Sequence, residues 1–194
     1  MRFVKRISMV VFLALGIGLA GPIGYGFLAV AHAHGQATQT ADRKPLRLYV
    51  YVAADPAYHV TSTLIYGQTE SVLVDAQFFL SDASKLADHI AGTHTTLRAI
   101  FITHPDLDHW IGLAVLHEKF PAAPIYMTKG ALDEFKKSVG TDLEGRRKRA
   151  PEETPKAVPT PMVLPSTALM VDGQPILIVP DQQGDFAAAP LNSR

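Results

Sequence analysis

The sequence predicts a single α/β domain in which strands alternate with helices. Residues 97–103 form an apolar run bounded by a nearby proline, which is typical of a buried strand. From this run onward the pattern is strand, helix, strand, helix, and that order favours a parallel sheet with helices packed on it. The length of 194 residues also suits one domain, since domains commonly span about 100–200 residues.

Residues 1–33 predict a secretory signal. Three basic residues near the start precede an apolar stretch, and Ala31-His32-Ala33 has the small-x-small pattern of a cleavage site. The alternative is an uncleaved membrane anchor, because the apolar stretch is long enough to span a bilayer. Its glycines and proline disfavour that helix. We therefore expect a periplasmic or secreted protein that meets the membrane only if the signal remains uncleaved.

Residues 34–45 are small and polar, which predicts a flexible lead-in, and residues 181–194 predict an irregular tail. The domain is therefore expected over residues 46–180. The chain has no cysteine, which excludes disulfides, a thiolate nucleophile and cysteine-bound zinc. Its formal net charge is zero, so nothing indicates a nucleic-acid partner, and the oligomeric state stays open.

Three strands are predicted at the front of the domain. Apolar residues alternate with others in residues 46–52 and 60–66, which predicts half-buried strands. A third strand is buried and ends in Asp75. A helix over residues 81–91 follows, with Ser81 or the next aspartate as its cap.

The elements after the buried strand are shorter. Residues 124–128 predict a strand and residues 130–139 a helix. Residues 142–165 are rich in proline and include a basic run, which favours a solvated, partly extended connection; the alternative is a flap that faces the substrate. Residues 168–180 predict a hairpin with an Asp172-Gly173 turn.

The candidate site is the turn after the buried strand. His104, Asp106, Asp108 and His109 fall within six residues, at the C-terminal end of a strand, where sites of open α/β sheets usually lie. Imidazole nitrogens and carboxylate oxygens together suit zinc, iron or manganese. In the alternative interpretation Asp108 only caps the following helix. Four potential ligands at this spacing favour the metal site.

This turn resembles the signature of the metallo-β-lactamase superfamily, His-x-His-x-Asp-His followed shortly by glycine. His104, Asp108, His109 and Gly112 match it, and Asp106 stands where the family usually has its second histidine. The resemblance implies a four-layer αββα sandwich with the activity of a hydrolase. It also implies that His104 and Asp106 face one metal, and that Asp108 and His109 face the other.

The resemblance further implies a divalent metal, with zinc expected first. Iron and manganese are alternatives because the carboxylate of Asp106 hardens the ligand set. Asp108 would orient the metal-activated water that attacks a small-molecule ester, lactone, lactam or phosphoester. Asp75 would lie beneath the metal loop and support it.

The sequence departs from the family after the hairpin. No histidine follows His117, whereas the superfamily completes its site with later histidines and a bridging carboxylate. Asp181 or Asp185 could replace one of these ligands. We therefore expect a C-terminally truncated member with an incomplete second half and impaired activity. The alternative is a non-catalytic exported remnant or binding protein whose metal site is weak or empty.

Overall fold

The structure is a computed structural model that describes residues 44–180, all within the unit that spans residues 41–194. The predicted signal, the tail, Asp181 and Asp185 lie outside the described residues. Among residues 44–180, no helix combines the length and the apolar character that crossing a bilayer requires.

The described residues form eight strands, four α-helices and two short 3₁₀ turns. The strands are β1 (Arg47–Val52), β2 (Thr61–Tyr66), β3 (Glu70–Val74), β4 (Thr96–Phe101), β5 (Ile125–Met127), β6 (Met162–Val163), β7 (Ala168–Val171) and β8 (Gln174–Leu177). The helices are α1 (Leu80–Gly92), α2 (Leu107–Trp110), α3 (Leu113–Lys119) and α4 (Lys129–Arg149), and the 3₁₀ turns are Asp55–Ala57 and Pro151–Glu153.

The six strands β1 to β6 form one mixed sheet in sequence order, and β7 and β8 form a separate hairpin. β1, β2 and β3 are antiparallel to one another in turn, while β3, β4, β5 and β6 are parallel. The predicted mixed α/β fold is therefore confirmed. The parallel half follows from the helices that return the chain between strands.

The helices cover one face of the main sheet. Leu64 of β2, Leu73 of β3 and Ile100 of β4 are fully buried there, in the same core as Leu86 and Ile90 of α1. Burial of each such side chain contributes roughly 1.5–3 kcal/mol relative to leaving it exposed. This core holds the C-terminal ends of β3 and β4 in place, and the candidate site follows those ends.

Among residues 44–180, those that cover the opposite face of the sheet lie at its centre. There Val171 of the hairpin packs on Val72 and Ala99. Val50 at one edge and Met162 at the other remain half exposed. One row of paired residues crosses all six strands on this face: Val50, Thr63, Val74, Phe101, Tyr126 and Met162.

The structure corrects two predictions about helices. The helix expected over residues 130–139 begins at Lys129 and continues to Arg149, so the basic run is its last turn rather than part of an extended connection. It ends where Pro151 follows, because the residue before a proline avoids the helical conformation. The predicted cap of α1 is also wrong: Phe79 occupies that position without a side-chain hydrogen bond.

The predicted hairpin turn is confirmed. Asp172 and Gly173 both have positive φ, 46° and 71°, as a tight turn between antiparallel strands favours. The carboxylate of Asp172 accepts hydrogen bonds from the backbone amides of Gln68 and Thr69 and from the hydroxyl of Thr69. This contact fastens the hairpin to the turn between β2 and β3.

Candidate metal centre

The loop that carries the four candidate ligands is anchored by Trp110. This side chain is fully buried, and its Nε1 donates a hydrogen bond of 2.7 Å to the carbonyl of Pro105. Its ring meets Phe135 of α4 edge to face, with 5.1 Å between ring centroids. The loop is thereby closed on itself and fixed against α4.

Gly112 separates α2 from α3 at a point of very close packing. A Cβ atom placed there would lie 1.9 Å from the carbonyl oxygen of Ala76 and 2.6 Å from the Cβ of Ala83. The amide of Gly112 donates to the carbonyl of Gln77 over 3.1 Å. The glycine therefore lets the loop approach the connection between β3 and α1, and the helix predicted after the motif is split in two.

Asp75 lies beneath the loop, where the resemblance placed it. Its backbone has a φ of 61°, a left-handed conformation that Asp tolerates better than most residues. Its carboxylate accepts hydrogen bonds from the amide and the hydroxyl of Thr103, at 2.9 to 3.0 Å. Oδ2 of Asp75 also lies 3.0 Å from Nδ1 of His109.

The four candidate ligands form two adjacent pairs. Nε2 of His104 lies 3.5 Å from Oδ2 of Asp106, and Nε2 of His109 lies 3.5 Å from Oδ2 of Asp108. The two imidazole rings meet with 3.9 Å between their centroids. Sequence reasoning missed Thr103, whose hydroxyl lies 2.8 Å from Nδ1 of His104. The only sequence signal was a hydroxyl residue directly before the first histidine.

The donors are two imidazoles and two carboxylates, and these types suit a divalent cation. Within residues 44–180, however, no group of three or more His, Asp or Glu side chains is arranged to hold a metal ion. Each histidine faces the carboxylate of its own pair instead of a centre shared by three donors. Among the described residues, each of these two histidines therefore has one carboxylate of the motif beside it.

The surroundings of His109 determine its charge. Burial of the imidazole opposes protonation, but the carboxylate of Asp75 and then those of Asp108 and Asp106 outweigh it, so the pKa of His109 is raised. A metal at this side chain would compete with the proton, since a metal binds the neutral imidazole.

The mixed sheet, with helices on one face and a His/Asp loop after a central parallel strand, defines an α/β protein. A family model described as the metallo-beta-lactamase superfamily matches residues 55–180. The chain belongs to this superfamily, and its fold is that of a hydrolase family.

Several solved structures are similar to the chain. The B3 metallo-beta-lactamase BLEG-1 has 17% identity and a TM-score of 0.48, with 68% of this chain and 59% of that chain covered. A beta-lactamase domain protein from Burkholderia ambifaria has 17% identity and a TM-score of 0.48, covering 67% and 43%. MEM-A1, a subclass B3 metallo-beta-lactamase from a soil metagenome library, has 15% identity and a TM-score of 0.47, covering 67% and 48%.

The chain thus spans between 43% and 59% of the length of these three structures. No curated protein matches it. Membership of the superfamily rests on the family model.

Proposed function

We propose that the chain is an exported, metal-dependent hydrolase whose ligands are His104, Asp106, Asp108 and His109. The observation that carries the proposal is the meeting of two histidine–carboxylate pairs at the end of β4, with 3.9 Å between the imidazole centroids. The substrate is a small molecule with a hydrolysable ester, lactone, lactam or phosphoester bond.

A bound divalent metal would supply an acidified water and polarise the bond to be cleaved. The side chains of this protein orient the ligands and the water. The carboxylate of Asp75 lies 3.0 Å from Nδ1 of His109, and Nε2 of the same ring lies on the side of Asp108. Such an outer carboxylate orients a ligating histidine and raises its basicity. Asp108, beside Nε2 of His109, would orient that water towards the substrate.

We expect weak retention of the metal. Catalytic zinc sites commonly use three protein ligands, whereas each pair here contributes two. Zinc is the first candidate, and iron or manganese are alternatives because Asp106 is a hard donor. Turnover should therefore be low.

A second candidate function is a non-catalytic exported binding protein with a weak or empty metal site. It is favoured by the lack of a three-donor group within the described part of the chain. The two candidates differ in a measurable way: only the first cleaves a substrate, and only in a manner that depends on the ligands.

The test is to load the chain with zinc, manganese or iron, desalt it, and measure bound metal together with hydrolysis of lactam, lactone, ester and phosphoester substrates. We expect less than stoichiometric metal and slow turnover, both lost in His104→Ala. His117→Ala is the matched control, because His117 is exposed on α3 and lies outside the loop. Metal binding without any turnover would support the second candidate. Stoichiometric metal with rapid turnover would contradict the two-donor argument.

Export has its own test. Mass spectrometry of the periplasmic fraction should find a chain that begins at or near His34. An intact Met1 in the membrane fraction would favour the anchor instead.

A further inference from the structure

Arg146, in the basic run at the end of α4, is enclosed by the protein. It is only 7% exposed, although the sequence pattern suggested a solvated segment. Its Cζ lies 3.6 Å from the ring centroid of Phe78 and 4.9 Å from that of Phe79. Nε and Nη2 are buried, and neither finds a hydrogen-bond acceptor in the part of the chain that the structure describes.

Burial of two guanidinium nitrogens without acceptors is unfavourable unless other contacts compensate. The two aromatic faces supply that compensation, because a guanidinium is attracted to the π-face of a ring. Since Nε and Nη2 are closed off from solvent, they are not open to a ligand. The guanidinium of Arg146 therefore packs on the rings of Phe78 and Phe79.

The turn after α4 makes a second contact with residues 78–81, at the start of α1. Oε2 of Glu153 accepts a hydrogen bond of 3.1 Å from the amide of Ser81. This replaces the side-chain cap that α1 lacks at Phe79. Residues 78–81 are thus held from one side by two anchors.

Residues 75–77, directly before this segment, contact the candidate metal loop. The amide of Ala76 donates to the carbonyl of His109 over 2.7 Å, and the amide of Gly112 donates to the carbonyl of Gln77 over 3.1 Å. A shift of residues 78–81 would therefore displace Ala76 and Gln77 and weaken both hydrogen bonds.

We propose that Arg146 is a positioning residue that clamps residues 78–81 and so keeps Ala76 and Gln77 in register with the candidate metal loop. Its consequence for metal affinity rests on the proposed function. Its consequence for the two hydrogen bonds does not.

The experiment compares Arg146→Met, which removes the charge and keeps bulk, with Arg146→Lys, which keeps the charge and loses the planar group. Lys148→Met is the matched control, since Lys148 lies on the same turn with a side chain that is 72% exposed. Amide hydrogen exchange is measured on the metal-free full chain at Ala76 and Gly112, with the buried strand residue Leu64 as internal reference. The zinc dissociation constant is measured separately.

We expect Arg146→Met to accelerate exchange at Ala76 and Gly112 relative to Leu64, with Arg146→Lys intermediate and Lys148→Met unchanged. The zinc dissociation constant should rise by no more than about tenfold in Arg146→Met, the lower end of the range for residues that contact the ligands directly, because Arg146 acts through residues 75–81. Equal acceleration at all three amides, or none at Ala76 and Gly112, would overturn the proposal. If Arg146→Met does not fold, the test uses Arg146→Lys and Glu153→Ala, the second of which removes the contact with Ser81. Exchange at the amides of Ala76 and Gly112 is then measured in these two variants, with the same expected acceleration. If the unmodified chain binds no zinc, the proposed function fails, and the exchange data still decide the clamp.

Discussion

Oδ2 of Asp75 lies 3.0 Å from Nδ1 of His109, so the end of β3 directly supports the loop that follows β4. The same carboxylate accepts hydrogen bonds from the amide and the hydroxyl of Thr103. One buried side chain therefore sets both ends of the candidate metal loop, because Thr103 precedes its first histidine and His109 is its last.

Removal of the charge of Asp75 should weaken metal binding. Asp75→Asn keeps the size of the side chain but loses the carboxylate that orients His109, and we expect the metal dissociation constant to rise roughly 10- to 100-fold. A competition titration with a zinc indicator measures this. Asp88→Asn is the control, because Asp88 is 77% exposed and pairs only with Lys119. Equal affinities for both variants would contradict the supporting role of Asp75.

The metal-free chain should lose stability as the pH rises from about 6.5 through the raised pKa of His109. The pKa of His109 is raised in the folded state by the facing carboxylates, despite burial. Protonated His109 therefore stabilises the fold fully below its unfolded pKa of about 6.5, and that contribution disappears as the pH rises through the raised folded value. Denaturant midpoints between pH 5 and 9 in the presence of a chelator, compared with His109→Gln, measure it. A His109-dependent gain in stability over that window would refute the sign.

Two glycine-to-alanine changes should have opposite effects. Gly112→Ala places a Cβ against the carbonyl of Ala76, and overpacking of this kind costs about 1–3 kcal/mol or more in unfolding free energy. Gly145→Ala adds its Cβ to open space within α4, where alanine is favoured over glycine by up to about 1 kcal/mol. Urea unfolding of both variants measures the difference. Similar midpoints would show that the Gly112 contact relaxes freely.

The β1 edge of the main sheet, on the face where the described residues leave apolar side chains exposed, should bind a hydrophobic dye. Leu48, Val50 and Val52 of β1 are 66%, 50% and 56% exposed on this face, and contiguous apolar patches commonly mark surfaces that another partner covers. Val50→Thr should reduce dye fluorescence while changing stability by less than about 0.5 kcal/mol. Leu64→Ala, on the buried face, should instead cost about 2–5 kcal/mol. Unchanged fluorescence in Val50→Thr would mean that the dye binds elsewhere.

The sequence by itself determined the strands other than β6, which lies in the predicted connection, and it determined the hairpin turn and the position of the candidate ligands. Each depends on preferences that act over a few residues: the apolar run of β4, the positive φ that Asp172-Gly173 adopts, and the short spacing of two histidines and two carboxylates. Local pattern was sufficient because backbone conformation and side-chain alternation are set by near neighbours.

The tertiary structure alone decided the burial of Arg146, the cap that Glu153 gives to α1, and the break between α2 and α3 at Gly112. In each case the partner is far away in sequence: Phe78 for Arg146, Ser81 for Glu153 and Ala76 for Gly112. A charged run and a glycine have the same local pattern on a surface as in a packed site. Only the distant segment that folds against them determines whether they are solvated or enclosed.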